Sequence, residues 1–296
     1  MEHHPERKKE KRLFLAILLN FLTTLAEVIG GIFSGSLALI SDALHNLSDT
    51  TALVISLFAV RLSRRMSSLD KTFGYKRAEI LAALFNSCIL VVVSLFLFKE
   101  AFLRLNTLRP INGWTMLIVS LVGLFSNVFS VILLKTSAHR DLNIRTAYVH
   151  LFSDALSSFA VIIAAVAIVF LKIYWIDPLL TFIIGLYVLK EGYLIIQQSI
   201  HILMQNVPRG IKLREIQKAI EEINGVSDIH HVHVWSINEK DIHLEGHINL
   251  KEDMPVSKTC LLIREIEQML KERFGIHHVT VQVEINSCKG VSLIKD

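Results

Sequence analysis

Apolar residues run in six long stretches through the first two thirds of the chain, at about residues 13–33, 37–60, 79–103, 114–134, 146–171 and 176–200. Each is long enough for an α-helix to cross about 30 Å of hydrocarbon. The breaks carry turn chemistry. Ser34-Gly35-Ser36 parts the first two, Arg109-Pro110-Ile111-Asn112-Gly113 parts the third and fourth, and Asp177-Pro178 opens the sixth. Beyond residue 207 the pattern changes. Stretches 211–223 and 256–274 are amphipathic at helical spacing, while 228–237, 241–250 and 277–285 alternate as strands do. The pattern predicts a cytosolic tail over 1–12 and a multi-pass α-helical membrane domain of six transmembrane helices over 13–203. A small α+β domain follows over 207–296, with its helices on one sheet face.

Composition agrees with a membrane protein. The chain is 52% hydrophobic with a mean hydropathy of +0.49, too apolar for an ordinary soluble domain. Its net charge of +4 is unevenly placed. Fourteen Lys and Arg crowd the polar stretches before span one, between spans two and three and between spans four and five, against Arg104, Arg109 and Lys172 on the other side. The positive-inside rule then puts both termini in the cytoplasm. These clusters are topology signals, with no nucleic-acid footprint among them. Cys88, Cys260 and Cys288 show no CxxC spacing; Cys88 lies in an apolar span as a packing residue, and the other two fit a reducing cytosolic domain. No A-x-A-like cleavage site follows the first apolar run, so it reads as a retained helix. Small size and short loops point to a bacterial inner membrane.

One five-residue pattern occurs twice inside the apolar spans: His45-Asn46-Leu47-Ser48-Asp49 and His150-Leu151-Phe152-Ser153-Asp154. Four-residue spacing puts His and Asp on one helix face. Ionisable groups at bilayer depth cost several kcal/mol and are rare without a function. Two pairs offer four ligands, the number a tetrahedral Zn²⁺ takes. Imidazole nitrogen favours Zn²⁺ and related first-row ions over Mg²⁺ or Ca²⁺. Histidine also titrates near neutral pH, so binding metal at such a site can be coupled to losing a proton. Helix–helix hydrogen bonding accounts for one such pair more easily than for two matching pairs 105 residues apart. A pure proton relay remains an open alternative. Asp42 sits one turn before His45 and is a candidate supporting group, while Glu27, Asn20, Asn86 and Asn127 read as interhelical hydrogen bonders and Gly30, Gly31 and Gly35 as close packing.

These residues carry a family resemblance. With His45/Asp49 in span two, His150/Asp154 in span five and a small C-terminal domain, the chain resembles the cation diffusion facilitators of the bacterial zinc/cadmium/cobalt efflux type. Residues 34–43, Phe73-Gly74-Tyr75-Lys76-Arg77-Ala78-Glu79 and His230-His231-Val232-His233-Val234-Trp235 are similar to three further motifs of that family. The resemblance implies a homodimer that exports Zn²⁺ in exchange for protons by alternating access. It also implies that His45, Asp49, His150 and Asp154 meet between spans two and five. Two family features are absent from the sequence. Residues 135–145 hold only His139, so there is no histidine-rich loop. The loop after span two has Lys71 and Tyr75 where some relatives place metal-binding histidines.

Histidines crowd the C-terminal domain: His230, His231, His233, His243, His247, His277 and His278. The resemblance implies a regulatory Zn²⁺ site of His230, His247 and Glu284, completed by Cys288 or by His3 and His4 of a neighbouring chain. Strict strand alternation disagrees in part. It puts His231 and His233 on one face with Trp235, and His230 with Val232 and Val234. A strand bulge would reconcile the two.

The expected function is therefore secondary transport of Zn²⁺, with Cd²⁺ and Co²⁺ as further cargo, and not an enzyme activity. Four protein ligands leave no open coordination position for hydrolysis, and no Walker A loop is present for ATP-driven pumping. A membrane-anchored metal sensor is the alternative, but an anchor has no need of charged pairs at bilayer depth.

Overall fold

The computed structural model describes residues 4–63, 68–138, 142–238, 241–285, 287 and 292–294. Six long helices come first: α1 (His4–Ser34), α2 (Leu37–Ser63), α3 (Ala78–Asn106), α4 (Gly113–Ala138), α5 (Leu142–Leu171) and α6 (Ile176–Leu203). They follow the predicted breaks. The difference is at the start, where α1 begins at His4 and the basic stretch expected as a tail continues the helix. Pro5 suits a first turn, and the Lys, Arg and Glu residues after it are good helix formers. Among the described residues, α3, Gly113–Ile132 of α4, Leu151–Leu171 of α5 and α6 are long and apolar enough to cross a membrane. Leu18–Ser34 of α1 adds a shorter apolar stretch.

The chain forms two compact units: Met1–Phe58 with Ala83–Ile196, and Ala59–Ala82 with Gln197–Asp296. The first is a bundle whose outward faces are apolar. Phe33, Phe85 and Phe125 are 79%, 70% and 69% exposed. Inside, Leu39, Met116, Val161 and Ile168 pack α2, α4 and α5 together. Glycines set how closely helices approach. A Cβ on Gly30 of α1 would lie 2.5 Å from Val119 Cγ2 of α4, and one on Gly123 would lie 2.6 Å from Glu27 Oε1. Polar side chains bridge helices as expected from their positions. Asn46 Nδ2 donates to Glu27 Oε2 at 3.0 Å, Asn86 Nδ2 to Ser48 Oγ at 3.1 Å and Asn127 Nδ2 to Ser158 Oγ at 3.3 Å.

The second unit carries α7 (Leu213–Glu221), β1 (Val226–Ser236), β2 (Ile242–Leu250), α8 (Val256–Phe274) and β3 (His278–Ile285). The sheet order is β1-β2-β3. β1 and β2 form an antiparallel hairpin, while β3 runs parallel to β2 after the α8 crossover. Gly275 ends α8 in the left-handed conformation at φ +67°, its N–H returning to the last helical carbonyls. Ile216 and Ile220 of α7, Ile266 and Leu270 of α8, and Leu244 and Ile248 of β2 form the core, so one sheet face is covered by helices.

The strand alternation expected for β1 is overturned at one point. Pairing with β2 slips between His230 and His233, and His231 takes φ +53°. This bulge changes the parity of the strand. Ile229 faces the core before it, and Val232 and Val234 face the core after it. His230 therefore does not share a face with Val232 and Val234.

The α2–α3 loop packs within this second unit. Lys76 Nζ lies 2.9 Å from Asp241 Oδ2 and holds that carboxyl below its ordinary range. Phe73 meets His243 edge-on at 5.8 Å, Trp235 stacks on the same ring at 5.5 Å, and His278 lies 4.6 Å away. Burial, then His278 and the Lys76 ammonium, hold the His243 imidazole below its ordinary 6.5, against an opposing pull from Asp241. The sign follows. The unfolded chain takes up this proton first, so stability falls as pH drops through 6.5 and levels off once the folded ring is also protonated. Thermal melts of the full chain in detergent at about pH 7.5 and about pH 5.5 will show a loss of stability that His243→Gln makes smaller.

Candidate metal centres

In the bundle, α2 presents Asp42, His45 and Asn46 at helical spacing on one face, and α5 presents Asp154, Ser157 and Ser158 on another. The two faces meet. His45 Nε2 lies 3.8 Å from Asp154 Oδ1, with His45 8% and Asp154 1% exposed. Ser157 donates its hydroxyl to Asp42, a second link between the same helices. Tyr187 of α6 closes on the His45 ring edge-on at 5.4 Å. Asp49 and His150 lie on α2 and α5, but their side chains lie outside the described residues. The structure thus brings together one residue of each sequence pair. Helix spacing shows which residues share a face of one helix, but not which Ser or Tyr of another helix meets them. Ser157 and Tyr187 were missed for that reason.

Chemically, this is an imidazole nitrogen facing a carboxylate in an interior without water-like screening. A proton can occupy the space between them, and so can a cation that both atoms ligate. A divalent ion and a proton would then compete for the same pair of atoms.

The second cluster lies on the sheet face opposite the helices. Ligand atoms of His230, His247 and Glu284 all lie within 4.8 Å of one another. The strand register makes this possible: His230 pairs with His247 across β1 and β2, and Glu284 pairs with Asn249, two residues along β2. The bulge after His230 lets this residue face Glu284 while Val232 and Val234 stay in the core. Asp228 Oδ1 accepts from His230 Nδ1 at 2.9 Å, which aims Nε2 at Glu284 Oε2, 3.6 Å away. Asn249 in turn donates to the Asp228 carboxylate at 3.1 Å. His247 Nδ1 lies 2.9 Å from Glu284 Oε1. His230 Nε2, His247 Nδ1 and Glu284 Oε2 are buried and hold no well-formed hydrogen bond among the described residues. Two imidazoles and a carboxylate, gathered and oriented in this way, fit a first-row divalent ion. His231 stands beside the cluster, its ring 4.7 Å from that of His247. Cys288 and His3 lie outside the described residues, as does the side chain of His4.

The α2–α3 loop shows a different use of its polar residues. Lys71 Nζ donates to Tyr75 Oη at 2.8 Å and sits over the same ring, so these two side chains engage each other.

Comparison with known proteins agrees with this architecture. Residues 13–204 match the model of the cation efflux transmembrane domain, and residues 208–286 match that of the cation efflux protein cytoplasmic domain. The metal cation efflux system protein CzcD of Cupriavidus metallidurans is 37% identical over 280 residues, covering 95% of this chain and 88% of that protein. The cadmium, cobalt and zinc/H(+)-K(+) antiporter of Bacillus subtilis is 37% identical over 284 residues, covering 95% and 91%. The zinc transporter ZitB of Escherichia coli is 36% identical over 290 residues, covering 97% and 91%. With both domains matched along nearly the whole length, the chain belongs to the cation efflux family, a helical transmembrane domain joined to a small α+β cytoplasmic domain.

Proposed function

We propose that this protein exports Zn²⁺ from the cytoplasm in exchange for protons, with Cd²⁺ and Co²⁺ as further cargo. The site is formed by His45, Asp49, His150 and Asp154. The observation that carries this reading is the approach of His45 to Asp154 across α2 and α5, at 3.8 Å and almost wholly buried. The partner that Asp154 meets there is a titratable imidazole. Cargo enters by displacing the proton that a His–Asp pair holds, and leaves when protons return from the other side. Two nitrogens and two carboxylates favour Zn²⁺ over Mg²⁺ or Ca²⁺, and two negative charges match a divalent cation. The names of the relatives from Cupriavidus, Bacillus and Escherichia support metal efflux, and the Bacillus name supports a monovalent counter-ion.

The chain works as a homodimer in a bacterial inner membrane, with both termini in the cytoplasm. The distribution of Lys and Arg supports this orientation. His230, His247 and Glu284 form a regulatory site in the cytosolic domain, where a bound divalent ion supplies positive charge shared by three strands. Asp228 fixes the His230 tautomer, and Glu284 carries the charge that two neutral imidazoles cannot.

Reconstituted into liposomes with an imposed pH gradient, the native chain will accumulate ⁶⁵Zn, and Asp49→Ala or Asp154→Ala will lower the rate by at least about tenfold. Gradient-independent zinc binding without uptake, from folded native protein, would favour the membrane-anchored sensor instead. In full-length protein in detergent, His247→Ala will weaken one class of Zn²⁺ sites by roughly 10- to 100-fold in calorimetric titration and leave the second class intact.

A further inference from the structure

Asp177, read from the sequence only as a turn residue, does more in the structure. It sits in the first turn of α6, 0% exposed. Its carboxylate accepts three hydrogen bonds from the start of α2: the Ser36 hydroxyl at 2.5 Å, the Leu37 N–H at 2.9 Å and the Ala38 N–H at 3.2 Å. Ser36 Oγ in turn accepts the Leu39 N–H at 3.0 Å. Every first-turn donor of α2 is thus taken up, two of them by a charge supplied from a different helix. A carboxylate at a helix N-terminus is also favoured by the helix dipole. The same junction is tied from two other helices. Asn112, at the start of α4, donates to the Ser34 carbonyl at 2.9 Å, and Arg104 of α3 donates to the Gly35 carbonyl. Gly35 itself makes the sharp break between α1 and α2 at φ +73°.

We propose that Asp177 is a positioning residue for the intramembrane site: it fixes the height and rotation of α2 so that His45 meets Asp154. The inference rests on the function proposed above. His45 lies eight residues beyond Leu37, about 12 Å along a helix that is anchored by this carboxylate. A slip of one residue would turn the His45 face by about 100° and shift it by about 1.5 Å, enough to carry its ring away from Asp154. Neither Ser36 nor Asp177 is a metal ligand in this account. Asparagine at 177 is of equal size but keeps one acceptor oxygen and turns an NH₂ toward N–H donors, so at least one tie is lost.

Co²⁺ titration of the full-length chain in detergent tests this, in a His247→Ala background that weakens the cytosolic cluster. The visible absorption of Co²⁺ reports the geometry of its ligands. The native membrane site will give a strong tetrahedral band that His45→Ala removes. D177N will weaken the apparent Co²⁺ affinity by roughly 3- to 30-fold and change the band shape, as part of the population leaves the competent α2 setting. Ser36→Ala, which leaves the carboxylate in place, will act in the same direction with a smaller change. In liposomes, D177N will raise the KM for zinc. A folded D177N with native Co²⁺ affinity and spectrum overturns the proposal, even if uptake falls, because Asp177 would then act elsewhere in the cycle. Should D177N fail to fold, a native spectrum and affinity in Ser36→Ala overturns it. A tetrahedral band of unchanged strength and affinity after His45→Ala overturns both the inference and the transport site on which it rests.

Discussion

A carboxylate removed from water must find donors or a counter-charge inside the protein, and this constraint organises the bundle. Glu27, Asp42, Asp154 and Asp177 are each 1% exposed or less. Each is met by a group from another helix: Asn46 for Glu27, Ser157 for Asp42, His45 for Asp154, and the start of α2 for Asp177. α2 takes part in all four contacts. The apolar side chains that dominate the composition do less to fix the geometry, since many face outward, where lipid is as apolar as they are. The polar contacts therefore select how α2 sits among α1, α5 and α6, and small residues such as Gly30 and Gly123 allow the helices to come close enough.

Much of this was legible in the sequence, for a physical reason. Spacing within one helix is fixed by the helix itself, so His45/Asp49 and His150/Asp154 could be placed on common faces without coordinates. The helix breaks were legible because Gly, Pro and Ser mark them, as at Ser34-Gly35-Ser36. What a face meets was not legible. Ser157 opposite Asp42, and Asp177 opposite the first turn of α2, depend on how two helices are rotated about their own axes. No local pattern encodes that rotation. The one available signal for Asp177 was an acid at the mouth of an apolar span.

The cytosolic cluster shows the complementary case. The family resemblance pointed to His230, His247 and Glu284, while the period-two rule put His230 on the wrong side. The rule failed because His231 adopts a backbone conformation that non-glycine residues seldom take, inserting one extra residue into β1. The two candidate centres also solve opposite problems. The intramembrane pair sits where an unpaired charge is expensive, so a proton or a cation is needed to keep it neutral. In the cytosolic trio His230 is oriented in advance by Asp228, which Asn249 holds in turn, so this side chain would lose little freedom on meeting an ion.

The sheet topology gives that cytosolic trio a place in time. His230 and His247 belong to a hairpin, whose contacts are local and form quickly. Glu284 arrives on β3 only after the chain has passed through all of α8 and turned back to run parallel with β2. That return closes a loop of 37 residues between His247 and Glu284, and the chain entropy of closure must be met before any contact compensates it. Glu284 is therefore joined to the two histidines by a non-local contact, slower to form than the hairpin itself. A cation held by all three would favour only the chain that has completed this return, so the cluster would also act as a clasp on the docking of β3.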